Sequence, residues 1–298
     1  MKLLQELYQK HTGKVSDKWS IYISQYDDKL NRYQNLPIKL FEVGILNGGS
    51  LEIFSKYFSK AELVLGCDID PNCEKLKYDN KKIKVIIGDV NEEKTKSEIV
   101  KHSNFDIIID DGSHNSKDIV RTFCNYFNYL KDGGLFIIED LHCSYQSQHG
   151  GGIFYPISSI NFFKQLIDII NYEHWGVEKK KEWLLRDFIK NYKIDFNSLL
   201  LDKIHSIEFV NSLCFIKKKI HENNILGRRM VVGKEEIVVP DRKKMNNQNV
   251  EKFNESENKW SNKEYLPNEE LVLLKQKIEK YQKKIFSTKK EIKNSKIK

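Results

Sequence analysis

Residues 107–118 read I-I-I-D-D-G-S-H-N-S-K-D, so Asp110, Asp111 and His114 crowd the end of an apolar run. A second acidic pair, Glu139 and Asp140, ends the run G-L-F-I-I-E-D that begins at 134. Carboxylates gathered in one place repel each other and raise one another's pKa unless a cation compensates them. A hard divalent ion with oxygen ligands, such as Mg²⁺, is the simplest compensation. Such an ion beside an imidazole suits proton removal from a hydroxyl, a group too weakly acidic to act as a nucleophile unaided at neutral pH. The alternative for these residues is solvated strand-end acids with His114 at a helix cap.

A third group precedes them. The stretch E-V-G-I-L-N-G-G-S, Glu42 to Ser50, lies between an apolar run and an amphipathic one. Small residues there, Gly44 and Gly48 among them, let the backbone approach a ligand closely, and a helix beginning at Ser50 would offer free N–H groups. The spacing is not G-x-G-x-x-G, which argues against a dinucleotide. An acid before the loop favours a cationic ligand over a pyrophosphate. Asp68 and Asp89 close two further apolar runs, where a carboxylate can accept ribose hydroxyls and reach an adenine amine respectively. Taken singly, such residues are ordinary turn chemistry; in this order they describe a nucleoside-bearing cation.

The elements that must carry these residues follow from the apolar period. Segments 38–45, 62–69, 83–89, 105–111 and 134–140 are short β-branched runs, each ending in an acid or a glycine. Helical stretches at 51–58 and 116–130 lie between them, the second stopped by L-K-D-G-G. Alternating strand and helix predicts a parallel sheet covered on both faces, with ligands bound beyond the carboxyl ends of its strands. After a helical middle, residues 205–219 read as an antiparallel hairpin turning at Asn211 and Ser212. The fold class is α/β, a doubly wound sheet with a terminal antiparallel hairpin.

Composition limits the function. A chain of 298 residues with 14 Tyr and 16 Phe can bury one large α/β domain. The five cysteines are scattered without a C-x-x-C pair, which fits reduced thiols. No apolar run is long enough for a signal peptide or a membrane span, so a cytoplasmic location is expected. Of the net charge of +8, residues 269–298 supply +6, which leaves a nearly neutral body and argues against nucleic acid as a partner.

The four expected parts are a cover segment at 1–36, the α/β domain at 37–239, a polar linker at 240–267 and a basic helix at 268–298. In the last, Asn268 could cap a helix with Leu271, Leu274, Ile278, Tyr281, Ile285, Thr288, Ile292 and Ser295 at heptad spacing. Lys284 and Lys289 oppose self-pairing. An acidic partner helix, an anionic membrane surface and a merely solvated helix all remain open for it.

Taken together, these motifs resemble a known family. E-x-G-x-x-x-G is similar to the S-adenosylmethionine (SAM) loop of methyltransferases, and five βα units closed by a hairpin resemble the class I methyltransferase fold. D-D-G-S-H at 110–114 with K-D-G-G-L-F-I-I-E-D-L-H-C-S-Y at 131–145 resembles the metal-dependent sugar O-methyltransferases of the macrocin and mycinamicin type. The resemblance runs over about residues 14–220 and includes S-D-K-W-S-I-Y-I-S-Q-Y-D at 16–27, a candidate cover for the cofactor, where Ser16 replaces the family's threonine.

It implies SAM held by Glu42, Gly44, Gly48, Ser50, Asp68, Asp89 and Asp110. It also implies Mg²⁺ or another divalent ion on Asp111, Glu139 and Asp140, His114 as general base, and a sugar or glycosylated small molecule as acceptor. His142 is either a donor to the acidic pair, a substrate contact or a loop histidine. His149 precedes G-G-G-I-F, which either closes over substrate or simply turns. A cephalosporin-hydroxylase-type relative is one rival, although no 2-His-1-carboxylate spacing is evident; a non-catalytic scaffold with the tail as its working part is another.

Overall fold

The computed structural model describes residues 3–194, 201–258, 261, 273–274 and 276–286. Contacts divide the chain at Phe253 and Asn254, and the two parts are described separately.

The first part is built on seven strands: β1 (Lys39–Val43), β2 (Leu63–Asp68), β3 (Ile83–Ile87), β4 (Phe105–Asp110), β5 (Leu130–Ile138), β6 (Ile204–Val210) and β7 (Leu213–Lys218). They lie in the order β3-β2-β1-β4-β5-β7-β6. The first five pair in parallel; β7 runs antiparallel to β5 and β6. Order reverses between β1 and β4, so the loops after these strands open a crevice at that end of the sheet. Each expected strand is present, and the hairpin turns at Ser212 in left-handed backbone.

Among the described residues, seven α-helices accompany the sheet: α1 (Leu4–Gln9), α2 (Ser20–Leu30), α3 (Gly49–Tyr57), α4 (Glu93–Val100), α5 (Ser116–Tyr126), α6 (Ser159–Ile170) and α7 (Arg186–Tyr192). Strand alternation sends Phe41, Ile108, Phe136 and Ile138 to one face, packed with Phe123 of α5 and Phe162 of α6. Leu40, Ile107, Ile109 and Ile137 go to the other, packed with Tyr26 of α2 and Phe54 of α3. By the same period of two, Glu42 and Glu139 belong to the face that α2 covers.

One expectation needs correction. L-K-D-G-G does not end the helix at 116–130: α5 stops at Tyr126, a 3₁₀ turn spans Phe127–Tyr129, and β5 already begins at Leu130. Leu130 pairs with Phe105 and Leu135 with Ile107, so Lys131–Gly134 form a bulge on the strand. Lys218 of β7 fixes this corner by donating to the carbonyls of Phe127, Asn128 and Leu130.

All five cysteines are buried free thiols. Among the described residues no helix is long and apolar enough to cross a membrane. In the second part, residues 276–286 are helical and Leu274, Ile278, Tyr281 and Ile285 are exposed. Asn268, Leu271, Thr288, Lys289, Ile292 and Ser295 lie outside the described residues.

Candidate active site

The loops after β1 to β5 enclose a cavity of about 510 Å³, walled in part by Gly44, Asp68, Asp89, Asp110, Asp111, His114, Glu139 and Asp140. That volume suits a nucleoside-sized ligand with room for part of a second molecule. Gly44 makes the close approach possible: its φ is +79°, and a Cβ there would meet the carbonyl oxygen of Asp111 at 2.1 Å. Asp110 is buried with Oδ2 unpartnered, and burial pushes its carboxyl up to about 8. A buried polar atom on a cavity wall without a partner fits a site built for a donor-bearing ligand such as SAM.

The other residues assigned to the cofactor divide into two sets. Asp68 and Asp89 are on the cavity wall, and both also organise backbone. Asp68 accepts from the N–H groups of Ile45, Leu46 and Asp70, and Asp89 accepts from that of Asn91. Glu42, Gly48 and Ser50 are not among the lining residues. Gly48 turns the loop with φ +76° as the cap of α3, and Ser50 Oγ donates to Glu42 at 2.6 Å behind the wall. Nor is the start of α3 entirely free. Gly49 N–H donates to the Val15 carbonyl at 3.1 Å, because residues 13–19 form a strap across the glycine loop.

The strap brings in the residue that sequence reasoning passed over. Lys18 Nζ lies 3.3 Å from Glu42 Oε1, 2.5 Å from Asp111 Oδ2 and 2.8 Å from Glu139 Oε1, and its side chain is 2% exposed. Burial acts to lower the pKa of this ammonium, but Glu139, Asp111 and Glu42 together outweigh it and hold Lys18 well above the ordinary lysine value. Burial pushes all three carboxyls up, and Lys18 opposes the rise. Tyr26 of α2 also donates to Glu139. The stretch S-D-K-W-S at 16–20 was legible only as a cover; a surplus of acids over basic residues at the strand ends was the available signal.

Outside this group lies a second one sharing Asp111. His114 Nε2 is 3.5 Å from Asp140 Oδ2 and 4.0 Å from Asp111 Oδ1. Burial holds the imidazole below the ordinary histidine value against the pull of both acids. Tyr22 Oη and Trp19 Nε1 donate to Asp140 Oδ1 at 2.6 and 3.0 Å. His142 Nδ1 contacts Ser212 Oγ at 2.6 Å and is 3.8 Å from Asp140, and the His149 ring is 6.4 Å from that of His114.

Two sets of ligand atoms lie within 4.8 Å of one another: Asp111, His114 and Asp140, and Glu42, Asp111 and Glu139. Asp111 is common to both, whereas Glu139 and Asp140 belong to one each. The carboxylates of Asp111 and Asp140 on the half-buried wall offer the oxygen donors that a hard divalent ion takes.

A seven-stranded sheet of this order, with its last strand antiparallel and its ligand cavity at the strand ends, is the class I SAM-dependent methyltransferase fold. Solved structures agree. MycE, a methyltransferase of the mycinamycin biosynthetic pathway solved with Mg and SAH, superposes with a TM-score of 0.61 at 23% identity, over 82% of this chain and 58% of that one. Its complex with Mg, SAH and mycinamycin VI gives 0.58, over 73% and 55%.

Among curated proteins the chain is similar to sugar O-methyltransferases of the macrocin and mycinamicin type. Demethylmacrocin O-methyltransferase of Streptomyces fradiae is 28% identical over 173 residues, 53% of this chain and 43% of that protein. Mycinamicin VI 2''-O-methyltransferase of Micromonospora griseorubida is 28% identical over 200 residues, 63% and 47%. The chain thus matches less than half the length of these relatives. No protein-family model matches it.

Proposed function

We propose that the protein is a SAM-dependent, divalent-metal-assisted O-methyltransferase acting on a sugar hydroxyl of a glycosylated small molecule or glycan. The observation that carries this reading is the convergence of the His114 imidazole with Asp111 and Asp140 on the wall of a cavity formed by the strand-end loops. The names of the curated relatives supply the acceptor class.

In this reading Gly44, Asp68, Asp89 and Asp110 face the cofactor. Glu42, Gly48 and Ser50 shape the loop from behind. Asp111, Asp140 and Glu139 would hold the ion, whose contribution is to acidify an acceptor hydroxyl. His114 takes the hydroxyl proton while the methyl group passes from the sulfonium to the oxygen, leaving the thioether. Holding the acceptor in line supplies much of the rate. Trp19 presents an exposed ring at the cavity while its N–H holds Asp140, a suitable plate for the apolar face of a sugar. We place the enzyme in the cytoplasm, with the helical tail as a tether to a partner or an anionic surface.

Incubation with methyl-labelled SAM, Mg²⁺ and a panel of glycosylated acceptors tests the proposal. Label should appear in an O-methyl sugar. Label transferred to no acceptor by a folded, SAM-binding protein would argue against it.

A further inference from the structure

Three carboxylates and one ammonium share the innermost part of the site. The three N–H bonds of Lys18 point to three different acids, Glu42, Asp111 and Glu139, so its donor capacity is used up there. Glu42 and Glu139 have side chains 0% and 1% exposed, so water cannot take the place of the ammonium as their counter-charge. These acids also present three oxygens close enough to one another to surround a small cation. The place is therefore shaped for an ion and filled by a side chain that arrives from the N-terminal strap.

We propose that Lys18 is a positioning residue that stands in for a cation in the inner acid group, so that the strap and a divalent ion compete for Asp111 and Glu139. This rests on the reading of Asp111, Glu139 and Asp140 as ion ligands. An ion approaching from the cavity meets Asp140 and Asp111 Oδ1 first. Asp111 Oδ2 and Glu139 Oε1 are held by the ammonium, and a dication lodged beside it would face like charge at low dielectric. The ion reaches Glu139 when Lys18 yields. Lys18 thus holds the acids in place before the ion binds and weakens its binding.

The test is titration of the metal-stripped full-length protein with Mn²⁺, without SAM, with free Mn²⁺ followed by electron paramagnetic resonance. Lys18→Met should bind Mn²⁺ about tenfold tighter than wild type or more, and Lys18→Arg, which keeps the charge, should stay close to wild type. Binding by Lys18→Met and not by wild type would support the proposal equally. Equal affinity in wild type and Lys18→Met, or weaker binding in the variant, overturns it and leaves the ion reading standing. No Mn²⁺ bound by either overturns both. If Lys18→Met fails to fold, the double variant Lys18→Met/Glu42→Gln removes one carboxylate with the ammonium and still frees Asp111 and Glu139. It should again bind tighter than Glu42→Gln alone, and an unchanged affinity overturns the proposal.

Discussion

His114 Nε2 faces Asp140 Oδ2 at 3.5 Å, and both residues hold left-handed backbone, with φ of 56° and 54°. Non-glycine residues in that region cost on the order of 1–3 kcal/mol each and persist where surrounding contacts enforce them. Here those contacts are identifiable. Tyr22 Oη donates to Asp140 Oδ1 and accepts from the Asp140 N–H, and Asn115 caps the helix that follows His114. Two loops from different strands are each turned sharply, and their side chains meet.

Replacing His114 with Ala should lower kcat by about 10²-fold or more, as expected for a lost general base. SAM affinity should remain nearly intact. Equilibrium binding of SAM beside steady-state turnover checks both parts, and unchanged turnover would remove His114 from the mechanism.

Asp111→Asn and Asp140→Asn should each abolish stimulation by divalent ions, and chelator should inhibit the wild type. The measurement is initial rate against Mg²⁺ concentration after metal stripping. Full activity in EDTA would leave these acids a structural role only.

Gly44→Ala places a methyl group against the Asp111 carbonyl, at a φ that L residues rarely adopt. The loop must move away from β4, and SAM affinity should fall by about tenfold or more. Calorimetry on the folded variant decides this; wild-type affinity would show that the loop can absorb the change.

Lys218 gives a pH dependence remote from the chemistry. Burial, with a smaller push from Lys203, lowers its pKa from 10.5 to about 8. The folded protein therefore releases this proton above pH 8 while the unfolded chain retains it to about 10.5, and this group adds stability as pH rises through that window. Lys218→Met strips donors from three carbonyls and should cost at least about 2 kcal/mol near neutrality. Thermal melts of both proteins at pH 7.5 and 9.5 should give a larger difference at the higher pH.

Removing residues 265–298 should change turnover on a soluble acceptor by no more than about a factor of two, since the carried-over site residues all lie before 141. Sedimentation with anionic vesicles or with partners should be lost. A collapsed rate in a folded truncation would assign the tail to the enzyme itself.

How far the sequence could be read depended on the range of each interaction. The ends of β1 to β5 were visible because a buried parallel strand demands an apolar run and its acid or glycine marks where the cleft begins. Gly44, Asp68, Asp89, Asp110, Asp111, Glu139 and Asp140 were picked out that way as candidates, and with His114 they line one cavity. The roles of Glu42 and Ser50 depend on which side of the wall a side chain stands, which spacing does not encode. Lys18 meets Asp111 and Glu139 across 93 and 121 positions, and no local pattern announces such a contact. The bulge at Lys131–Gly134 escaped notice because a glycine pair after an amphipathic stretch is also how a helix ends.

Tyr22 Oη, which donates to Asp140, also lies 2.7 Å from Ser212 Oγ, a contact between hydroxyls 190 positions apart. During synthesis, then, the site stays incomplete until the β6–β7 turn has been made: a nascent chain that ends before Ser212 carries every candidate site residue but lacks the turn that contacts the Tyr22 hydroxyl and accepts from the Leu141 N–H. Closing so long a loop belongs to the late and slow part of folding. Competence would therefore arrive in one step near the end of assembly, and truncated products of translation would be born inactive.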